Sequence, residues 1–198
     1  GVHGVGVSVV SALSVWMRAE VSQKGKVWAQ EYKRGNSQGA NKAVGKTEET
    51  GTKIIFQPDP QIFPQIEWNW KTIADYLRQQ AYLTKGIHIK LIDEREERED
   101  LYRSVGFCFD GGIRSFVSFL NANKETVNKN IFYVEKEEQG MLVEASFQYN
   151  DSFKDHVRSF ANNIHTVEGG MHETGCRTAF TRAVNDYAKK NNFLKEKD

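Results

Sequence analysis

Residues 7–14 read V-S-V-V-S-A-L-S, apolar and small without a breaker, and predict a short buried helix directly behind a run of glycines. Val15, Met17, Ala19 and Val21 then alternate with polar or aromatic neighbours, the period of two that marks a strand. Ser22-Gln23-Lys24-Gly25 is a turn, and residues 27–32 return as a second strand, so the two form a hairpin. The polar, glycine-rich stretch 33–52 reads as a surface loop and 53–56 as a short apolar strand. All three prolines fall between Pro58 and Pro64, which excludes regular structure there.

Beyond the prolines, Ile73, Tyr76, Leu77, Gln80 and Ala81 fall on one helical face, with Lys85-Gly86 as its C-terminal stop. Ile87, Ile89 and Leu91 mark another strand. Residues 94–100 are seven consecutive charges and read as a solvated hairpin tip. A domain boundary is placed just after them, near Ser104. Asp110 is the expected N-cap of a helix whose core face is Ile113, Phe116, Val117 and Leu120. Strands are expected at 131–136, 141–149 and 153–164. Gly169-Gly170 breaks the chain. A last helix over 172–191 presents Cys176, Phe180, Ala183, Val184 and Tyr187 on one face.

Composition narrows the function classes. Over 198 residues, 39% are hydrophobic and 27% charged, as in a folded globular protein rather than a disordered one. A net charge of +1 excludes a bulk electrostatic grip on nucleic acid, so any DNA role must come from local patches or other regions. Residues 1–17 lack Asp, Glu, Lys and Arg, but there is no basic n-region and the run ends at Arg18 in an amphipathic segment. No signal peptide or membrane span is read there. A start at glycine, inside a motif, leads us to expect further sequence upstream. Two cysteines far apart, Cys108 and Cys176, fit a reducing cytoplasm better than a disulfide framework or zinc site.

Three groups of residues suggest chemistry. Gly1-Val2-His3-Gly4-Val5-Gly6 leads straight into a helix, where exposed N–H groups and the helix dipole suit a di- or triphosphate. The same glycines also suit a purely structural turn. No Lys-Ser/Thr follows them and no strand precedes them, so neither a Walker A loop nor a dinucleotide fold is indicated. Thr50-Gly51-Thr52 opens the strand at 53–56, where a hydroxyl meets a polar ligand or serves an ordinary turn. Asn162-Asn163 followed by Glu168-Gly169-Gly170-Met171-His172-Glu173 is a dense polar cluster. His172 and Cys176 are spaced i, i+4, but with Glu173 they make a poor closed metal site. A cap and hinge is the reading taken, with no metal. His88, His156 and His165 have no evident partner, and no Ser/His/Asp or Cys/His constellation is seen.

Seven stretches in this order carry a resemblance: GVHGVGVSVVSALS from Gly1, GKVWAQEYKRG from Gly25, TGTKIIFQPDPQIF from Thr50, DYLRQQAYLTKGIHIKLIDER from Asp75, DGGIRSFVSFLN from Asp110, VEASFQYND from Val143, and the segment from Ser159 to Asp198. Together they resemble the DNA gyrase B family of bacterial type IIA topoisomerases, with topoisomerase IV B as close paralogue. The resemblance implies an α/β fold. Residues 1–105 correspond to the C-terminal part of a GHKL ATPase sandwich, and residues 106–198 to the N-terminal part of a transducer domain. It implies ATP and Mg2+ as cofactors, DNA and gyrase A as partners, an ATP-dependent homodimer, and strand passage with negative supercoiling.

Carried over residue by residue, Gly1, Val2, His3, Gly4, Val5 and Gly6 match the ATP lid. Thr52 matches the threonine that helps hold adenine. Asn162, Asn163, Glu168, Gly169, Gly170 and His172 fall in the relay or hinge. Gln23 stands where the family usually has an arginine at the edge of the inhibitor pocket. The activating glutamate, the magnesium asparagine and the transducer lysine have no counterpart here, so no catalytic residue is assigned and this chain alone is expected to be inactive. Met171 and Cys176 depart from the usual Thr and Phe. The alternatives are topoisomerase IV B, which would decatenate, a non-catalytic GHKL nucleotide switch, and an α/β domain with an empty glycine turn.

Overall fold

The computed structural model describes residues 4–194. They divide between Asn69 and Trp70 into two compact units, each with its own packing.

The first unit is built on one antiparallel sheet. Helix α1 (Gly6–Ala12) feeds β1 (Ser14–Gln23), which pairs with β2 (Lys26–Lys33) and with β5 (Gly51–Pro58). The β1–β2 turn is two residues long. Lys24 (φ 52°) and Gly25 (φ 78°) are both left-handed, the conformation whose twist matches the strands it joins. That turn sets the register Gln23↔Lys26 and, from it, Met17↔Tyr32. The expected loop at 33–52 is not wholly irregular. It contains β3 (Asn36–Ser37) and β4 (Lys42–Lys46), both paired to the far edge of β2. Every residue in them is exposed, so their order comes from backbone pairing that side-chain polarity does not signal. The strand expected at 53–56 is eight residues long.

The second unit contains helix α2 (Trp70–Leu83), strands β6 (Ile89–Asp93) and β7 (Arg103–Phe107), helix α3 (Ile113–Leu120), strands β8 (Phe132–Glu138) and β9 (Met141–Phe147), the short β10 (Phe160–Ala161) and β11 (Ile164–His165), and helix α4 (Met171–Lys190). Strands pair as antiparallel hairpins β6–β7, β8–β9 and β10–β11. The charged run 94–100 is exposed at the tip of β6–β7. β7 had no clear pattern of its own, and position 105 lies within it, opposite Leu91.

The core sits where α2 meets the β6–β7 hairpin and α3. Ala74, Ala81 and Phe107 are buried, with Trp70, Leu77, Ile89, Leu91, Val105 and Phe109 packed around them. Tyr82 is also buried and stacks on Phe109 at 3.8 Å and Phe116 at 5.0 Å. The buried stripe of α2 is therefore Ala74, Ala81 and Tyr82. Tyr76, assigned to the core face by spacing, is exposed. Small residues at 74 and 81 admit the ring of Phe107 more closely than Tyr76 would.

Three further expectations change. Asp110 does not cap α3. That position belongs to Gly112, whose φ of 54° and ψ of −133° suit glycine. The strand at 153–164 is reduced to β10 and β11: Phe153 and Val157 are exposed, and only Phe160 packs inward, on Phe116. On α4, Cys176, Val184 and Tyr187 are exposed, and only the partly buried Phe180 packs inward, against Phe147 at 4.5 Å.

Candidate functional site

Gly1, Val2 and His3 lie outside the described residues. Gly4 has φ +63°, a left-handed turn that disfavours any side chain. Val5 closes the cap, its carbonyl accepting Val9 N–H at 2.9 Å, and Gly6 begins α1. A Cβ added at Gly4 or Gly6 would meet nothing within 4 Å. The two glycines therefore differ: the backbone requires Gly4, whereas no neighbouring atom requires Gly6.

The far end of α1 is tied down. Ser14 Oγ donates to Val10 O at 2.7 Å. Leu13 O accepts Asp59 N–H and Ser14 O accepts Arg34 N–H, each at 3.0 Å. Arg34 Nε donates to Asp59 Oδ2 at 2.6 Å, and Gln61 N–H to Asp59 Oδ1 at 2.9 Å. Asp59 is buried, and the Arg34 guanidinium, followed by the Gln61 amide, holds its carboxyl below the usual range. The proline segment thus fastens the joint between α1 and β1, which fixes the direction in which the glycine turn leaves the sheet.

Thr52 lies opposite Val21 in the β1–β5 ladder, and Gln23 is two residues further along β1. Directly paired residues share a face, and so do residues two apart on a strand. Thr52, Val21 and Gln23 therefore stand on one face at one end of β1, joined there by Trp28 opposite Val21 and Lys26 opposite Gln23. Thr52 and Gln23 are both exposed. Sequence separation had hidden this proximity, and the hairpin register creates it.

The polar cluster resolves into two parts. Asn162 (φ 48°) and Asn163 (φ 64°) form the left-handed turn between β10 and β11, a conformation asparagine tolerates better than most residues. Asn163 also reaches the end of α2: its carbonyl accepts Gln80 Nε2 of the helix at 3.4 Å, and its Nδ2 donates to Thr84 Oγ1, just beyond the helix, at 3.2 Å. Gly169 is left-handed (φ 75°), Glu168 is exposed, and Gly170 is the residue before α4. A Cβ on Gly170 would stand 2.8 Å from His172 Cε1.

His172 Nε2 lies 3.2 Å from Thr166 Oγ1, which is 2.7 Å from Ser159 Oγ. Ser159 donates to Glu173 Oε2 at 2.8 Å, and Arg177 bridges Glu173 and Asp155, at 3.0 Å each. Ser159 first and Arg177 second hold the Glu173 carboxyl low. Glu173 and Arg177, spaced i, i+4, are the part of this chain that sequence could have offered. Ser159 and Thr166 gave no signal.

One reading is corrected. Cys108 Sγ lies 3.6 Å from His88 Nε2, although no Cys/His pair was evident in the sequence. Ile89 pairs with Phe107, so the next positions outward, 88 and 108, meet across the hairpin. Among the described residues, no group of three or more His, Cys, Asp or Glu side chains is placed to hold a metal ion. No helix among them is long and apolar enough to cross a membrane.

A family model for DNA gyrase B matches residues 112–198. The DNA gyrase B of Clostridium acetobutylicum is 48% identical over the whole chain, and the DNA topoisomerase 4 B of Bacillus subtilis is 40% identical, again over the whole chain. The chain spans 30% of the length of either relative. A crystal structure of the 43K ATPase domain of Thermus thermophilus gyrase B, in complex with an aminocoumarin, covers 99% of the chain at 32% identity with a TM-score of 0.85. The chain covers 53% of that structure. Matched from end to end in both sequence and fold, the chain belongs to the DNA gyrase B family.

Proposed function

We propose that this chain forms the ATP lid and part of the relay in the ATP-binding subunit of a bacterial, cytoplasmic type II DNA topoisomerase. In that reading the subunit works with DNA and gyrase A, closes as an ATP-dependent homodimer, and drives strand passage with negative supercoiling. Residues 1–105 are assigned to the ATPase domain and 106–198 to the transducer. The start of the family match at residue 112 supports that division.

The observation that carries the reading is the shared face of Thr52 and Gln23 at the end of β1. It gathers the adenine-side threonine and the pocket-edge position, which lie 29 residues apart in sequence, onto one surface. The glycine turn is compatible with phosphate: Gly4 is left-handed and the space beside Gly4 and Gly6 is open, so backbone N–H groups have room to approach an anion. When bound, ATP with Mg2+ supplies the phosphoryl chemistry. The residues of this chain bind and orient it, and none is assigned a catalytic role.

The test uses the full-length protein. Gly4→Val should abolish dimer crosslinking with a non-hydrolysable ATP analogue while leaving the circular dichroism spectrum unchanged. Normal dimer yield would sink the lid assignment. Gln23→Arg should strengthen aminocoumarin binding by about tenfold with little change for the ATP analogue, because a charge-assisted contact is worth roughly 1.5–3 kcal/mol against about 1 for a neutral one. Unchanged drug affinity would mean that Gln23 is not at the pocket edge, or that Lys24 already supplies the charge.

A further inference from the structure

The β8–β9 hairpin contains an electrostatic conflict. Its register sets Glu135 directly opposite Glu144, and like charges facing across a strand pair oppose pairing. Tyr133 Oη stands between the two carboxylates, hydrogen-bonded to both. The conflict is resolved from outside the hairpin. Lys85, in the turn after α2, places Nζ 2.7 Å from Glu135 Oε2 and 2.8 Å from Glu144 Oε1, and also donates to Tyr133 Oη. The Arg114 guanidinium of α3 lies over the Tyr133 ring at 4.8 Å.

The route Lys85 takes is also built. Its stem crosses Gly112, at the start of α3. A Cβ on Gly112 would stand 2.8 Å from Lys85 Cε and 2.9 Å from Lys85 Cγ. The same end of α2 is held from a second side, through Gln80 and Thr84 to Asn163 in the β10–β11 turn.

We propose that Lys85 is a positioning residue that locks the β8–β9 hairpin to the end of α2, and that nucleotide-dependent movement of α2 reaches the hairpin through this lock. The inference rests on the ATP-relay reading above. The hairpin alone carries two unbalanced carboxylates, so its stable arrangement is the one in which α2 delivers the ammonium. A displacement of α2 that withdraws Lys85 therefore changes the hairpin's own stability. Side chains this close to solvent exchange quickly, and Lys85 remains 40% exposed, so the lock can open without unfolding the core.

The experiment follows amide hydrogen exchange of residues 132–147 in the full-length protein, with and without a non-hydrolysable ATP analogue whose affinity is measured in parallel. The parent and Lys85→Arg should bind the analogue and gain protection in the hairpin. Lys85→Met should bind it, with the gain reduced about fivefold or more, the lower end of a typical coupling between sites. Lys85→Met also leaves Glu135 and Glu144 unbalanced and risks local unfolding. The paired variant Glu135→Gln with Glu144→Gln avoids this, because the repulsion goes together with the lock. It should keep the hairpin folded, bind the analogue and lose the gain. Retention of the gain in that variant, or no gain in a parent that binds the analogue, overturns the proposal. A parent that does not bind the analogue overturns the nucleotide reading itself, and this one with it.

Discussion

Helices α2 and α4 are held by different means. α2 is 14 residues long and buries Ala74, Ala81 and Tyr82, with Tyr82 stacked on Phe109 and Phe116. α4 is 20 residues long and, among the described residues, buries none of them fully. It is fastened by the ring contacts of Phe180 with Phe147 and Tyr149, by His172 against Thr166, and by the polar chain from Asp155 through Arg177 and Glu173 to Ser159. A helix gains most of its stability from its buried face. α2 thus stays packed on the β6–β7 hairpin and α3 as long as the core survives, whereas the attachment of α4 depends mainly on charge. The steadier helix also leads, through Gln80 and the turn residues Thr84 and Lys85 just beyond its end, into the two outward ties to the hairpins.

The contrast can be broken most directly at Tyr82. Tyr82→Ala should cost about 3–5 kcal/mol of unfolding free energy in urea denaturation, as for other buried aromatic truncations. A cost below that of any α4 substitution would mean that α2 is not the anchor. Phe180→Ala should cost about 1–2 kcal/mol, since the ring is only partly buried. Its effect should appear as faster amide exchange confined to residues 171–190. Faster exchange that spread to α2 would join the two helices into one cooperative unit.

Charge sharpens the comparison further. The Glu173 carboxyl is held below its ordinary 4.5 by Ser159 and Arg177. A depressed folded value contributes stability above the unfolded value and loses it as pH falls through the folded one. The attachment of α4 should therefore weaken progressively in acid, below about pH 4.5. Glu173→Gln should flatten that pH dependence when exchange of the α4 amides is followed by mass spectrometry. The smallest effect is expected at Val184, an exposed position on α4. Val184→Ser should change stability by no more than about 0.5 kcal/mol. A larger loss in the full-length protein than in this chain would show that another part of the protein covers that face.

The glycine turn and the polar cluster were legible to different degrees. The glycine turn declared itself by composition, and Gly4 does adopt the left-handed backbone that makes glycine necessary. The Asn162-Asn163 pair stood out as chemistry, yet its first role is conformational: both residues are left-handed in a two-residue turn. The contact of Asn163 with α2 joins residues 79 and 83 apart in sequence, and nothing local foretells it. The meeting of Cys108 with His88 is of the same kind, since only the pairing of Ile89 with Phe107 brings them together.

Local chemistry by itself determined the long periodic elements, the existence of the β1–β2 hairpin, the break after Pro58 and the charged tip, because each depends on backbone preference or on a period that neighbouring residues reveal. The expected four-residue turn 22–25 shrinks to Lys24-Gly25, with Ser22 and Gln23 in β1. Family membership was likewise readable, because it rests on the order of residues. Only tertiary structure decided which face of α2 is buried, that β3 and β4 exist at all, that Gly112 rather than Asp110 precedes α3, and that Lys85 answers the Glu135–Glu144 conflict. Those outcomes depend on which surfaces meet. A side chain's partners across 50 or more residues, as between Lys85 and Glu135, are set by packing and register, for which sequence spacing carries no signal.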